Sequence, residues 1–113
     1  YKKNAHKFMN KANLFVLSSK YEGLPNVLIE AQKYNLPIIS TNCPTGPKEI
    51  LLNGKLGELY PVSDHKKLFH KIKNFYLNQK YLIRKSNLSQ KYLYRFNTKT
   101  NCIKYLRIIK KYI

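Results

Sequence analysis

Acidic residues are scarce in this chain: 5 Asp and Glu stand against 22 Lys and Arg in 113 residues, for a formal net charge of +17. Tryptophan is absent and alanine nearly so, yet an apolar content of 43% is enough for one small core. A chain of this length holds one domain at most. The two cysteines, Cys43 and Cys102, are too few for a disulfide framework. Each reads as a bland or buried thiol, which fits a reducing compartment. His6, His65 and His70 are not grouped with Cys or carboxylates at zinc spacing, so no metal site is expected. No run of 18 apolar residues occurs, which excludes a membrane-spanning helix. No signal-peptide pattern stands at the start, and no internal repeat or flexible linker interrupts the chain.

The charge is uneven. Residues 65–113 contain no Asp or Glu and 14 Lys or Arg, with Tyr76, Tyr81, Tyr92, Tyr94, Tyr105 and Tyr112 interleaved. Aromatics among cations can stack bases, and a basic face can lie on an anionic membrane. However, 19 of the 22 cations are Lys, and Arg, the preferred base reader, occurs only at 84, 95 and 107. Lys, Asn, Tyr, Ile and Leu dominate throughout, as an AT-rich coding bias would produce. The favoured reading is incidental surface charge, with peripheral membrane contact second and nucleic acid last.

Against this background the carboxylates stand out. Four of the five fall within the 37 residues from Glu22 to Glu58. The segment from Ala12 to Leu17 is short and apolar and reads as a buried strand of a parallel sheet. Ser18-Ser19 closes it. Pro25 suits the first turn of a following helix, where its missing N–H costs nothing. Val27, Leu28 and Ala31 give that helix an apolar face, and Pro37 ends it near Tyr34-Asn35. Glu22 thus sits in a strand-to-helix loop with Gly23, and Glu30 lies in the helix. Free N–H groups at a helix N-terminus suit a phosphate, and carboxylates accept hydrogen bonds from paired sugar hydroxyls. On spacing alone the structural alternative stays open. A Glu near a helix start is often only a dipole partner, and a mid-helix Glu is usually solvated.

The remaining pattern alternates strands and helices. A short helix is expected from Asn4 to Lys11, a helix over residues 25–34 and a strand from Pro37 to Ser40. Thr45-Gly46-Pro47 opens a helix through Leu52, and Asn53-Gly54 marks a turn. Glu58-Leu59-Tyr60 is a short strand, and Ser63 or Asp64 caps the next helix. There Leu68, Phe69, Ile72, Phe75 and Tyr76 recur at helical spacing as one core-facing stripe. Helices over Lys80 to Tyr94 and Thr98 to Tyr112 complete the chain. Glu49 reads as a partner of its own helix dipole, and Glu58 and Asp64 as structural.

The wording of residues 12–52 resembles the family 4 glycosyltransferases. The phrases are Ala12-Asn13-Leu14-Phe15-Val16-Leu17-Ser18-Ser19, Tyr21-Glu22-Gly23-Leu24-Pro25-Asn26-Val27-Leu28-Ile29-Glu30-Ala31, Leu36-Pro37-Ile38-Ile39-Ser40-Thr41 and Cys43-Pro44-Thr45-Gly46-Pro47-Lys48-Glu49-Ile50-Leu51. Glu22 and Glu30, seven residues between them, look like the family's two-glutamate motif. The looser remainder also looks like the family. The resemblance implies an α/β fold: a partial Rossmann-like donor domain of the GT-B type, with a short parallel sheet, flanking helices and a helical C-terminal tail. Residues 1–62 would form the donor-binding part and 63–113 the C-terminal helices of one truncated domain spanning 1–113.

It further implies transfer of a sugar from a nucleotide-sugar, a UDP-sugar by preference, with retention and without a required metal or other cofactor. The acceptor would be a surface glycan or a lipid-linked one in bacterial polysaccharide or lipopolysaccharide assembly. The sugar would be a hexose or an N-acetylhexosamine. Glu22 would orient donor-sugar hydroxyls near the reacting carbon. The backbone around Gly23, Leu24, Asn26, Val27 and Leu28 would hold the diphosphate, and Glu30 would accept from the ribose hydroxyls. The expected location is the cytoplasm or the inner face of its membrane.

The departures matter. A GT-B enzyme closes its active site between two domains, and 113 residues are too few for both. The family's Gly-rich turn and its phosphate-facing Arg/Lys pair have no match here. The chain reads as a C-terminal fragment, inactive alone, whose last helix exposes Tyr105, Ile108, Ile109, Tyr112 and Ile113 for want of the N-terminal domain. The rival expectations are a non-enzymatic basic module on anionic membrane or nucleic acid, and a remnant without function.

Overall fold

The computed structural model describes residues 5–113. The elements run α1 (Ala5–Lys11), β1 (Phe15–Leu17), α2 (Asn26–Lys33), β2 (Ile38–Thr41), α3 (Pro47–Ile50), β3 (Glu58–Tyr60), α4 (His65–Leu77), α5 (Gln79–Gln90), a 3-10 turn (Leu93–Phe96) and α6 (Thr98–Tyr112). The strands pair in chain order, β1-β2-β3, and both pairings are parallel. Parallel neighbours need a crossover between them, and α2 and α3 lie in those crossovers. The α/β expectation therefore holds.

The sheet is covered on both faces, and β2 shows why. Ile38 and Ile39 are 1% and 0% exposed, and alternation along a strand sends them to opposite sides. On one side Ile38 joins Leu28, Ile29, Ala31, Leu36, Ile50, Leu51 and Leu56. On the other Ile39 packs with Tyr60, Phe75 of α4 and Leu82 of α5. The chain beyond α5 returns to the first side. Gln90 Nε2 donates to the Gln32 carbonyl at 2.6 Å. Arg95 donates to the Glu49 and Ile50 carbonyls at 3.2 and 2.8 Å, satisfying acceptors at the C-terminus of α3.

Several boundaries move. Asn4, the expected start of α1, lies outside the described residues. The strand expected over residues 12–17 is only Phe15–Leu17, and it is not buried: Val16 is 36% exposed. Among the described residues β1 pairs with β2 alone, so it is an edge strand. The helix expected to reach Leu52 stops at Ile50, because Leu52, Asn53 and Gly54 all take positive φ (47°, 55° and 91°). Asp64, not Ser63, caps α4, its side chain accepting from the Lys67 N–H at 3.0 Å. The single helix expected over 80–94 is α5 plus the 3-10 turn.

The stripe on α4 is also corrected. Phe75 is buried and Leu68 half-buried, but Phe69 and Tyr76 are 61% and 78% exposed. At about 100° per residue Leu68 and Phe75 nearly superpose, whereas Phe69 and Tyr76 sit roughly a quarter-turn away. The apolar arc is wider than the surface it meets.

Candidate functional site

Parallel strands deliver their following loops to one edge of the sheet, the edge where α/β proteins bind ligands. Here that edge holds the ends of β1 and β2 at Leu17 and Thr41, and the two loops that follow are bonded to each other. The Glu22 N–H donates to the Pro44 carbonyl at 2.9 Å, and the Thr45 N–H donates to the Glu22 carbonyl at 2.7 Å. The Thr45 hydroxyl donates to the Gly23 carbonyl at 3.3 Å. Gly46 closes the contact with φ +108°, and a Cβ there would lie 2.5 Å from Pro25 Cδ and 2.9 Å from the Gly23 oxygen. Only glycine fits that approach.

Glu22 is half-buried at this mouth, and its Oε1 accepts a hydrogen bond from the Ser19 hydroxyl at 2.6 Å. Gly23 beside it faces open space, with nothing within 4 Å of a Cβ built there. Leu24 is 60% exposed. The Asn26 N–H donates to the Leu24 carbonyl at 2.8 Å and the Leu28 N–H to the Pro25 carbonyl at 2.9 Å. Among the described residues the N–H groups of Gly23, Leu24 and Val27 have no acceptor. The mouth therefore combines a carboxylate with three donors at the N-terminus of α2, a combination that can grip an anion and a hydroxyl pair together. The Leu28 side chain faces the core at 0% exposure and its N–H is engaged by Pro25, so neither is open at this edge.

Glu30 lies in α2, the fifth residue of the helix and so about 6 Å along it. It is half-buried between the buried Ile29 and Ala31, and its carboxylate has no partner among the described residues. Glu49 is exposed on α3, which is only four residues long.

Glu58 sits at the opposite end of the sheet, as the first residue of β3. It is ion-paired with Lys71 at 2.6 Å and Lys85 at 2.8 Å. Burial pushes its carboxyl up, but the hydrogen bonds and charges of the two lysines outweigh that and hold it below the ordinary range. Burial lowers Lys85, and its hydrogen bond to Glu58 together with the neighbouring Tyr81 more than restores it, to above its ordinary value. A cavity of about 430 Å³ between α4 and α5 is lined by Glu58, Lys71, Asn74, Phe75 and Tyr81, among others. It lies at the amino end of β3, away from Glu22. Among the described residues no three His, Cys, Asp or Glu side chains come together, and no helix is long and apolar enough to cross a membrane.

The sequence profile of the glycosyl transferases group 1 matches residues 1–92. This chain belongs to that family. It is 61% identical over 49 residues to an uncharacterized glycosyltransferase of Methanocaldococcus jannaschii, a match covering 43% of this chain and 12% of the relative. Over 45 residues it is 44% identical to the lipopolysaccharide 1,6-galactosyltransferase of Salmonella typhimurium, covering 40% of this chain and 12% of that enzyme. The crystal structure of TarM superposes with a TM-score of 0.82 at 21% identity, covering 95% of this chain and 22% of TarM. The fold is thus the partial Rossmann-like domain of a GT-B glycosyltransferase, and the matched part of the chain spans about an eighth of the two curated relatives' lengths.

Sequence reasoning missed the partners of Glu22. Ser19, three residues before it, carries the local signal of a side-chain hydroxyl in reach of a loop. Pro44 and Thr45 reach it, and Thr41 reaches Ser19, through tertiary pairing, which no local pattern displays.

Proposed function

We propose that this chain is the donor-binding part of a retaining family 4 glycosyltransferase, taking its sugar from a nucleotide-sugar, UDP-linked by preference. The observation that carries the reading is the Glu22 carboxylate in the same loop as the N–H groups of Gly23, Leu24 and Val27, which have no acceptor among the described residues. On this reading those N–H groups and the positive end of α2 hold the diphosphate. They also stabilise the charge that grows on it as the sugar leaves. Glu22 accepts from donor-sugar hydroxyls and orients the reacting carbon, and Glu30 accepts from the ribose hydroxyls. Backbone dipoles carry the diphosphate charge, so the reading requires no metal.

The transferred sugar on this reading is a hexose or an N-acetylhexosamine and the acceptor a glycan or a lipid-linked one; the Salmonella relative, a lipopolysaccharide 1,6-galactosyltransferase, supports the hexosyl form. On this reading transfer also needs the acceptor side of the cleft, which a second domain supplies. The reading puts the enzyme in the cytoplasm, at the inner face of the membrane where a lipid-linked acceptor lies. Its two free cysteines accord with that compartment.

Calorimetry with UDP, UDP-galactose and tripolyphosphate tests the assignment. Glu30→Ala should weaken both nucleotides about tenfold, the size of one or two lost hydrogen bonds. Glu22→Ala should reduce the preference for UDP-galactose over UDP. Equal weakening of all three ligands by both variants would count against the two roles.

A further inference from the structure

Glu22 can discriminate hydroxyl groups only if its carboxylate is held in one orientation, and the structure shows what holds it. The Ser19 hydroxyl donates to Glu22 Oε1 at 2.6 Å, a short, charge-assisted bond. Ser19 is itself fixed. Its carbonyl accepts the Thr41 hydroxyl at 2.7 Å, and Thr41 is 1% exposed at the end of β2. The Glu22 main chain is clamped on both sides by Pro44 and Thr45. A chain of contacts therefore runs from the buried centre of the sheet to one carboxylate oxygen. Among the described residues the other oxygen, Oε2, has no partner.

We propose that Ser19 is a positioning residue for donor-sugar recognition: it occupies Oε1 of Glu22, locks the side chain and reserves Oε2 for the sugar hydroxyls. This rests on the donor-site reading of Glu22. The geometry is specific to a hydroxyl at this position. A glutamate side chain in a loop samples several rotamers, and ordering it during binding would cost affinity for the sugar alone. The nucleotide contacts, made by α2 and its preceding turn, would be indifferent to Ser19.

Two measurements on the labelled chain decide the matter. Without ligand, three-bond couplings of the Glu22 side chain should report one rotamer in the wild type, averaging in Ser19→Ala and one rotamer again in Ser19→Thr. With ligand, the affinity ratio of UDP-galactose to UDP should fall about tenfold in Ser19→Ala, recover in Ser19→Thr, and leave UDP binding itself unchanged. Ser19→Cys, similar in shape with a weak donor, supplies the same comparison should alanine unfold the loop. A single Glu22 rotamer in Ser19→Ala, or equal weakening of UDP and UDP-galactose, would overturn the proposal. Failure of the wild type to bind UDP would instead sink the donor reading, and the couplings would still judge whether Ser19 holds Glu22.

Discussion

Helices α2 and α6 are both amphipathic, and they meet opposite fates. Within eight residues α2 buries Leu28, Ile29, Ala31 and Gln32 against the sheet. Across fifteen residues α6 buries none, and Ile103, Tyr105, Leu106, Ile108, Ile109 and Tyr112 are all exposed. Periodicity makes a helix amphipathic, but only a partner surface makes its apolar face a core. The consequence is a division of rigidity. The loop that carries Glu22 springs from packed elements, whereas a helix of α6's length is marginal in water without tertiary support.

The sharpest break of this contrast is a truncation made twice. Leu28→Ala, at a fully buried site, should cost about 2–5 kcal/mol in chemical denaturation. Ile108→Ala on α6 should stay within about 0.5 kcal/mol. Comparable losses would mean that α6 is packed in solution. Next in size is Gly46→Ala, whose Cβ meets Pro25 and the Gly23 oxygen at a positive φ. It should destabilise by roughly 1–3 kcal/mol and shift the amides of residues 22–28, while those of α6 stay still. An unperturbed Glu22 loop would show that the two loops are not coupled.

A smaller effect attaches to Glu58. Its folded pKa lies below the unfolded one, so its stabilisation is present above the ordinary carboxylate range and fades as pH falls through the folded value. Glu58→Gln should therefore cost about 1 kcal/mol near neutral pH, with the gap to wild type closing below about pH 4. A pH-independent difference would assign the loss to packing. Smallest of all, amide exchange in α6 should need almost no opening free energy, while β2 exchanges only on global unfolding.

Much of this was readable beforehand because it is local. The Asn53-Gly54 turn and the start of α6 at Thr98 follow from backbone chemistry, and Asn97 caps α6 by accepting from the Thr100 N–H at 3.0 Å; Pro25, expected in the first turn of α2, stands just before it as the N-cap. The order of strands and helices followed from apolar runs and their spacing. Burial did not. Val16 and Phe69 are apolar in sequence yet 36% and 61% exposed, because exposure depends on which strand or helix lies alongside. The placement of Glu22 at the loop was legible from Gly23 and Pro25. Its clamp was not, because Pro44, Thr45 and Thr41 lie about 20 residues away and reach Glu22 or Ser19 only through the β1–β2 pairing.

The most direct test of a donor site at the mouth of β1 and β2 is an amide NMR titration of this chain with UDP and UDP-sugars at about 0.15 M salt, which suppresses nonspecific attraction to the basic surface. Saturable shifts clustered on residues 22–30, lost in Glu30→Ala, are the predicted result. Diffuse, salt-sensitive shifts over residues 65–113, with residues 22–30 unmoved, would contradict it.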